Sequence, residues 1–303
     1  YNTELKSDKN VILLNPRNID DGYFIESGFV TSDKNIDIPN SETLWSIVGN
    51  KKLTQENPIR LSWTNDQGIK FEKKISLDDK YLFTINQKVI NSTKKKYDFY
   101  SYGQIIRNKI PEITNFYILH EGLIATLDGE LIEEDYDDIQ EKKFTKIAKK
   151  GWLGIGDKYW ITSLIPPKGK EFKTTFDYKK KFRANFIATE PLELKENNEI
   201  EEELQIIVAA KRVDVIDGYA ESLNIDKFDL VIDWGFLYFI TKPLFYGIDY
   251  FFKMLGNYGL AIIAITVCIR LAFFPLANFS FRSMAKMKAL QPEMVRLKEL
   301  HKN

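Results

Sequence analysis

The run Asn257-Tyr-Gly-Leu-Ala-Ile-Ile-Ala-Ile-Thr-Val-Cys-Ile-Arg-Leu-Ala-Phe-Phe-Pro-Leu-Ala277 decides how the rest of the chain is read. From Tyr258 to Ala277 it supplies the ~20 predominantly apolar residues that a helix needs to cross a bilayer. Only Thr266 and Arg270 break the apolarity, whereas a soluble surface helix of that length would carry a polar face. An arginine near the middle of a spanning helix costs roughly 2.5–3.5 kcal/mol on insertion scales. Arg270 is therefore expected to face protein or trapped water and is the first functional candidate. The competing reading is an arginine that snorkels to the nearer interface.

Charge on either side of the run gives it a direction. The 303 residues hold 43 basic and 43 acidic groups, a neutral sum that hides an asymmetry. Residues 278–303 carry six basic and two acidic groups, a net of +4, and residues 1–257 carry 36 and 41, a net of −5. Short basic flanks stay in the cytoplasm, so the large N-terminal part is expected outside and the tail inside. The basic surplus is confined to a short juxtamembrane segment, which is not a nucleic-acid footprint. The only cysteine, Cys268, lies within the apolar run, which excludes a disulfide framework and a cysteine metal site and leaves the compartment unassigned by cysteine usage. No cofactor or metal is expected. The chain starts at Tyr1 and shows no signal peptide, so it is read as a fragment whose N-terminus an earlier spanning segment carries across the membrane.

Upstream of the run, the first two hundred or so residues read as mainly β. Ile59-Arg-Leu-Ser-Trp-Thr64 alternates apolar and polar side chains, Asn65-Asp-Gln-Gly68 supplies turn chemistry, and Ile69-Lys-Phe-Glu72 resumes the alternation, which predicts a hairpin. Phe83-Thr-Ile-Asn86 and Phe182-Arg-Ala-Asn-Phe186 show the same period of two. Many short strands with polar turns and abundant aromatics predict a β-sandwich, with no helix before about residue 216. Glu133-Glu-Asp-Tyr-Asp-Asp138 lacks the spacing and turn glycine of an EF-hand and reads as a solvated acidic loop. His120-Glu121 has no second histidine one turn on, so the zinc-protease pattern fails and His120 reads as structural. Gly151-Trp-Leu-Gly-Ile-Gly156 lacks the ending of a phosphate loop and reads as a tight turn. A glycosidase carboxylate pair would be spatial and leaves no sequence trace.

Between sandwich and span, Asp233 to Leu255 is also apolar, but Lys242, Asp249 and Lys253 fall within roughly 40° of one another on a helix. That layout predicts a helix lying in the membrane interface rather than a second span, with Gly256-Asn-Tyr-Gly259 as the bend into the bilayer. After the span, Met287, Leu290, Met294 and Leu297 recur at helical spacing, the stripe of a helix that packs on a partner. The interleaved Lys286 and Lys288 either mark the positive-inside flank or contact ribosomal RNA or anionic lipid. The expected domains are a β-sandwich over 1–220, a linker and amphipathic interfacial helix over 221–256, a transmembrane helix over 257–277 and a cytoplasmic amphipathic helix over 278–303.

Gly256-Asn-Tyr-Gly-Leu-Ala-Ile-Ile263, Arg270 with the downstream Phe273-Phe-Pro-Leu276, and Ser283-Met-Ala-Lys-Met-Lys-Ala-Leu-Gln-Pro292 resemble the second membrane helix and first cytoplasmic helix of the YidC/Oxa/Alb family of membrane protein insertases. Lys227 to Gly235 and Thr241-Lys-Pro-Leu-Phe245 resemble the family's entry into its periplasmic interfacial helix. His120-Glu-Gly122, Asp157-Lys-Tyr-Trp160 and Ile165-Pro166 resemble motifs of its large periplasmic domain. The resemblance implies a periplasmic β-supersandwich followed by an α-helical membrane segment, in the bacterial inner membrane. It implies five membrane helices after the sandwich, of which this chain holds one, and the first half of a cytoplasmic helical hairpin. It also implies a non-enzymatic insertase and chaperone working alone or with the Sec translocon. Its partners would be nascent membrane proteins, membrane lipid and, through Lys286, Met287 and Lys288, the ribosome. Arg270 would stand in a hydrophilic groove, with Thr266 one turn away holding water or a substrate backbone group, or returning a hydrogen bond to its own helix. The alternative is a membrane-tethered periplasmic sandwich that binds carbohydrate or a protein partner, to which Arg270 is irrelevant.

Overall fold

In the computed structural model, which describes residues 10–111 and 120–300, the alternating segments become two antiparallel sheets. Among the described residues the larger sheet orders nine strands: Ser46–Val48, Ile59–Thr64, Ile69–Leu77, Leu82–Asn91, Glu199–Ala210, Trp160–Ile165, Gly151–Gly156, Gly122–Leu127 and Glu130–Asp135. The smaller sheet runs Tyr23–Val30, Tyr97–Arg107, Phe182–Ala188, Phe172–Tyr178 and Phe144–Ala148, with Leu192–Leu194 also paired to Tyr97–Arg107. The expected hairpin is present, with Thr64 opposite Lys70. Its turn is set by Asn65, whose side-chain oxygen accepts from Gln67 N at 3.1 Å and Ile69 N at 2.8 Å, and by Gly68 at φ 87°.

Among the described residues three apolar clusters hold this unit together. Leu123, Leu153, Phe176, Phe182, Phe186 and Leu204 fill one part of the space between the sheets. Phe29, Ile69, Phe71, Val89, Phe99 and Leu194 fill another. The third lies on the outer face of the larger sheet, where helix Val213–Ser222 and the turn Phe228–Val231 cover Trp152, Ile161 and Ile207. Trp152 is fully buried there, edge-on to Phe228 at 5.2 Å. Because those two elements pack on the sheet, the compact β unit extends to Asp233, beyond the boundary expected at 220.

Three local expectations are corrected. Gly151 to Gly156 forms a central strand rather than a turn, since it is buried on both faces and its glycines admit neighbouring backbone: a Cβ on Gly154 would lie 3.1 Å from Ser163 Cα. Glu133 to Asp138 is not a loop. It ends strand Glu130–Asp135 and opens helix Tyr136–Glu141, because Tyr136 and Ile139 sit one turn apart and bury together, with Tyr136 against Phe182 at 4.7 Å. This short helix also precedes residue 216, where no helix was expected.

Lys73 bridges the sheets, donating from Nζ to Ser27 O and lying 5.4 Å from the Trp45 ring. Burial lowers its pKa from 10.5 to about 8. Between those values the unfolded chain holds a proton that the folded chain has released, so folding stability should rise with pH through that window. Replacing Lys73 by Met is expected to stabilise the β unit at pH 7 by about 2 kcal/mol, the ~1.4 kcal/mol per pKa unit discounted for partial exposure. The rise above pH 8 should also vanish. Urea titrations followed by tryptophan fluorescence at pH 7 and 10 test both.

From Trp234 the chain forms a separate unit of helices. Helix Tyr238–Leu255 ends at Gly256, left-handed at φ 68° with its N–H on Phe252 O at 2.8 Å. Asn257 then caps the next helix by accepting Leu260 N at 3.2 Å. That helix, Tyr258–Leu300, runs without a break past the boundary expected at 277. The Met-, Ala- and Lys-rich sequence after Ala277 is a good helix former, and Pro275 and Pro292 each remove a single backbone donor.

Candidate functional site

Arg270 lies twelve residues into the long helix, about 18 Å from its start at 1.5 Å per residue. No acidic residue occurs between Asp249 and Glu293, and position 293 stands 23 residues, about 34 Å, further along the helix, out of reach of Arg270. Its flanks are exposed apolar side chains, including Val267, Ile269, Leu271, Phe273 and Phe274. Thr266 shares its face one turn earlier, but its hydroxyl donates to Ile262 O at 2.7 Å, which leaves only acceptor capacity for anything outside the helix. Further on, Met287 and its neighbours Met284, Leu290, Met294 and Leu297 form an exposed stripe, and Lys286 and Lys288 are exposed beside it.

The preceding helix keeps its charges together. Lys253 Nζ lies 2.7 Å from Asp249 Oδ2, and Lys242 sits over the Trp234 and Tyr238 rings at 5.8 and 5.7 Å. Thr241 Oγ1 donates to Trp234 O at 2.8 Å, tying the helix to its entry. Phe236, Phe239, Tyr250 and Met254 are exposed. The corner after this helix closes further than a right-angle turn into the bilayer. A Cβ on Gly247 would lie 2.8 Å from Ile265 Cδ1, although each residue stands nine positions, about 13.5 Å, from Gly256. Helices meeting at 90° would be about 19 Å apart at that distance along their axes, so the pair folds back as an acute hairpin. Phe252 stacks on Tyr258 at 3.8 Å across the corner.

In the β unit, the motifs around His120 and Asp157 converge at the end where the chain leaves for Trp234. Arg107 Nη1 lies 2.5 Å from Asp157 Oδ1 and donates to Tyr136 OH at 3.2 Å, while its guanidinium covers the Tyr23 ring at 4.5 Å. Glu121 accepts Lys158 N at 2.8 Å, and Asp233 accepts His120 N at 3.3 Å. Burial and then Asp157 push the Tyr23 hydroxyl far above its usual range. Burial works against the Arg107 charge, but Tyr136 and Asp157 outweigh it and the guanidinium is held charged. Burial lowers the Lys211 amine. Charges here neutralise one another and lock the exit of the sheet. Sequence reading found His120 and Asp157 as motifs but missed Arg107, Tyr23 and Tyr136, which reach them only through the packing of the two sheets and of helix Tyr136–Glu141.

Comparison with known proteins gives this arrangement its family. Residues 1–247 match the YidC periplasmic domain family and residues 250–303 the 60Kd inner membrane protein family. The chain belongs to the YidC family. It is 70% identical over 303 residues, its full length, to the membrane protein insertase YidC of Pelagibacter ubique, covering 54% of that protein. It is 41% identical over 311 aligned positions to YidC of Rickettsia prowazekii, covering 100% of this chain and 55% of that one. It is 40% identical to YidC of Mesorhizobium japonicum, covering 97% of this chain and 50% of that one. The chain thus spans about half the length of the curated relatives it matches. As a YidC family member it is an inner-membrane protein with a periplasmic β-sandwich. Among the described residues one helix, over Tyr258–Pro292, is long and apolar enough to span the membrane. Among solved structures, a galactose mutarotase related enzyme from Lactobacillus acidophilus is similar at TM-score 0.40 and 10% identity, over 54% of this chain and 70% of that one. A likeness of that size carries no functional argument.

Proposed function

We propose that this chain is part of a membrane protein insertase and chaperone, in which Arg270 forms one wall of a hydrophilic groove that receives nascent membrane proteins. The observation that carries the reading is a lone cation about 18 Å along a spanning helix, with no carboxylate between Asp249 and Glu293 to pair with it. A cation at that depth attracts acidic groups in the short tail of an incoming protein, and water in the groove shortens the low-dielectric distance the tail must cross. The substrate's own apolar helix then passes sideways into lipid. No covalent bond is made or broken, so the activity is not enzymatic. Thr266 presents its oxygen to water or to a substrate N–H on the same face. The exposed aromatic side of helix Tyr238–Leu255, folded back along the span, meets lipid on the periplasmic side of the bilayer. The stripe at Met287 with Lys286 and Lys288 meets a partner helix, ribosome or lipid on the cytoplasmic side, and the Sec translocon shares part of the substrate load.

Complementation of a depletion strain by the full-length protein tests the function. The protein lacking the β unit, residues 1–233, is expected to restore growth and insert single-span substrates at close to the intact level, since Arg270 lies outside that unit. A severe loss on this deletion would move the function to the sandwich, as a carbohydrate- or protein-binding tethered domain.

A further inference from the structure

A polar row crosses the middle of the sandwich. Lys73 stands directly opposite Gln87, and Gln87 directly opposite Glu202, so the three side chains share one face of three adjacent strands. That face looks toward the smaller sheet, and the row falls where the apolar core changes hands. Along Leu82–Asn91, Ile85 packs in one cluster and Val89 in another, with Gln87 between. Along Glu199–Ala210, Glu202 separates Leu204 from Ile200 in the same way. On the smaller sheet, Ser27 lies between Ile25 and Phe29, and Ser101 between Ile105 and Phe99.

Gln87, Ser101 and Glu202 are 2%, 2% and 5% exposed, and Gln87 Oε1, Ser101 Oγ and Glu202 Oε2 are buried without a protein partner. Two of these atoms are obligate acceptors and the third can also accept, so what completes them is a hydrogen-bond donor. Two other groups of the row are engaged: Lys73 Nζ donates to Ser27 O, and Lys170 pairs with Glu202 Oε1. Beside Lys73 and Gln87, under Trp45 and Tyr102, is a cavity of about 20 Å³. That is room for one water and too little for a sugar or a nucleotide.

We propose that Gln87 holds a buried water in this cavity, and that the polar row through Lys73, Gln87 and Glu202 divides the sandwich core into two parts that open separately. The part holding Phe29, Phe71, Val89 and Phe99 is the smaller cluster, so it opens first. Water here satisfies Gln87 Oε1, while the row supplies none of the apolar contact that would make the two clusters cooperative.

Two measurements on the whole chain in detergent test this. A crystal structure resolving ordered solvent should show a water within hydrogen-bond distance of Gln87 Oε1, and a dry row with the Gln87 and Glu202 side chains turned onto protein donors would overturn the site. Hydrogen exchange should show amides of residues 69–71, 89–91 and 97–99 exchanging at least tenfold faster than those of 83–85, 105–107 and 204–208. Gln87→Leu should shrink that ratio severalfold by joining the clusters. Equal protection on the two sides of the row in the wild type, or a ratio unchanged in Gln87→Leu, would overturn the division. If Gln87→Leu does not fold, the wild-type exchange ratio and the solvent structure decide it.

Discussion

The full-length protein carrying Arg270→Ala is expected to insert single-span substrates with acidic tails at least tenfold more slowly, while Arg270→Lys retains most of the wild-type rate. Two unit charges at 4 Å attract by about 4 kcal/mol at an effective dielectric of 20 and by about 1 kcal/mol in bulk water. A hydrated groove inside a bilayer lies between these limits, so losing the cation should cost roughly 1.5–3 kcal/mol, or about 10- to 150-fold. The same change removes a group that costs roughly 2.5–3.5 kcal/mol to place in a membrane helix. Arg270→Ala is therefore expected to fold and accumulate at least as well as wild type, and a loss of insertion would not be a loss of protein. Substrates with neutral tails should be little affected. Quantifying protease-protected substrate in vesicles, for acidic and neutral tails side by side, reads this directly. Normal insertion of acidic tails by Arg270→Ala would sink the groove mechanism. An equal loss in Arg270→Lys would point to a planar, two-pronged grip on the carboxylate in place of simple charge attraction.

What could be read from sequence follows from how each segment meets water. The hairpin from Ile59 to Leu77 was legible because one of its faces is wetter than the other, which writes a period of two into the chain. The break at Gly256 and Asn257 was legible because a left-handed cap and a side-chain cap each demand a particular residue type. Gly122–Leu127, Gly151–Gly156 and Trp160–Ile165 were not legible as strands. They are buried on both faces, and burial on both faces erases the alternation. The lock of Arg107 on Asp157, and the row of Lys73, Gln87 and Glu202, join residues far apart in sequence, and no spacing rule reaches them. Arg270 was the opposite case. A charge in an apolar run announces itself wherever the helix is placed, whereas the continuation of that helix past Ala277 had no breaker to mark it either way.

Gly151→Ala is expected to destabilise the β unit by about 3–5 kcal/mol, a large fraction of the roughly 5–15 kcal/mol that holds a domain folded. Two costs combine. Gly151 sits at φ 141°, a conformation that an L side chain rarely adopts and that costs of order 1–3 kcal/mol. A Cβ there would also overlap Thr126 O and lie 2.9 Å from Thr126 C and 3.2 Å from Leu127 Cα, all of them backbone atoms of the paired strand that cannot swing aside. Relief requires the strands to part at their first pair, and the next residue is Trp152, fully buried between the sheet and Phe228. Gly169→Ala separates the two costs, because Gly169 has φ 76° with nothing within 4 Å of a Cβ, so it should lose only about 1 kcal/mol. Urea midpoints of the two variants, read by tryptophan fluorescence, should therefore differ several-fold in their shift, and equal shifts would show that the strand yields at Thr126. In the full-length protein the same substitution also bears on Arg270. If insertion is carried by the membrane helices, Gly151→Ala should melt the sandwich at a temperature where wild type is folded and leave the insertion rate of acidic-tailed substrates within about twofold. A loss comparable to that of Arg270→Ala would mean that the folded sandwich is needed to hold the groove in working order.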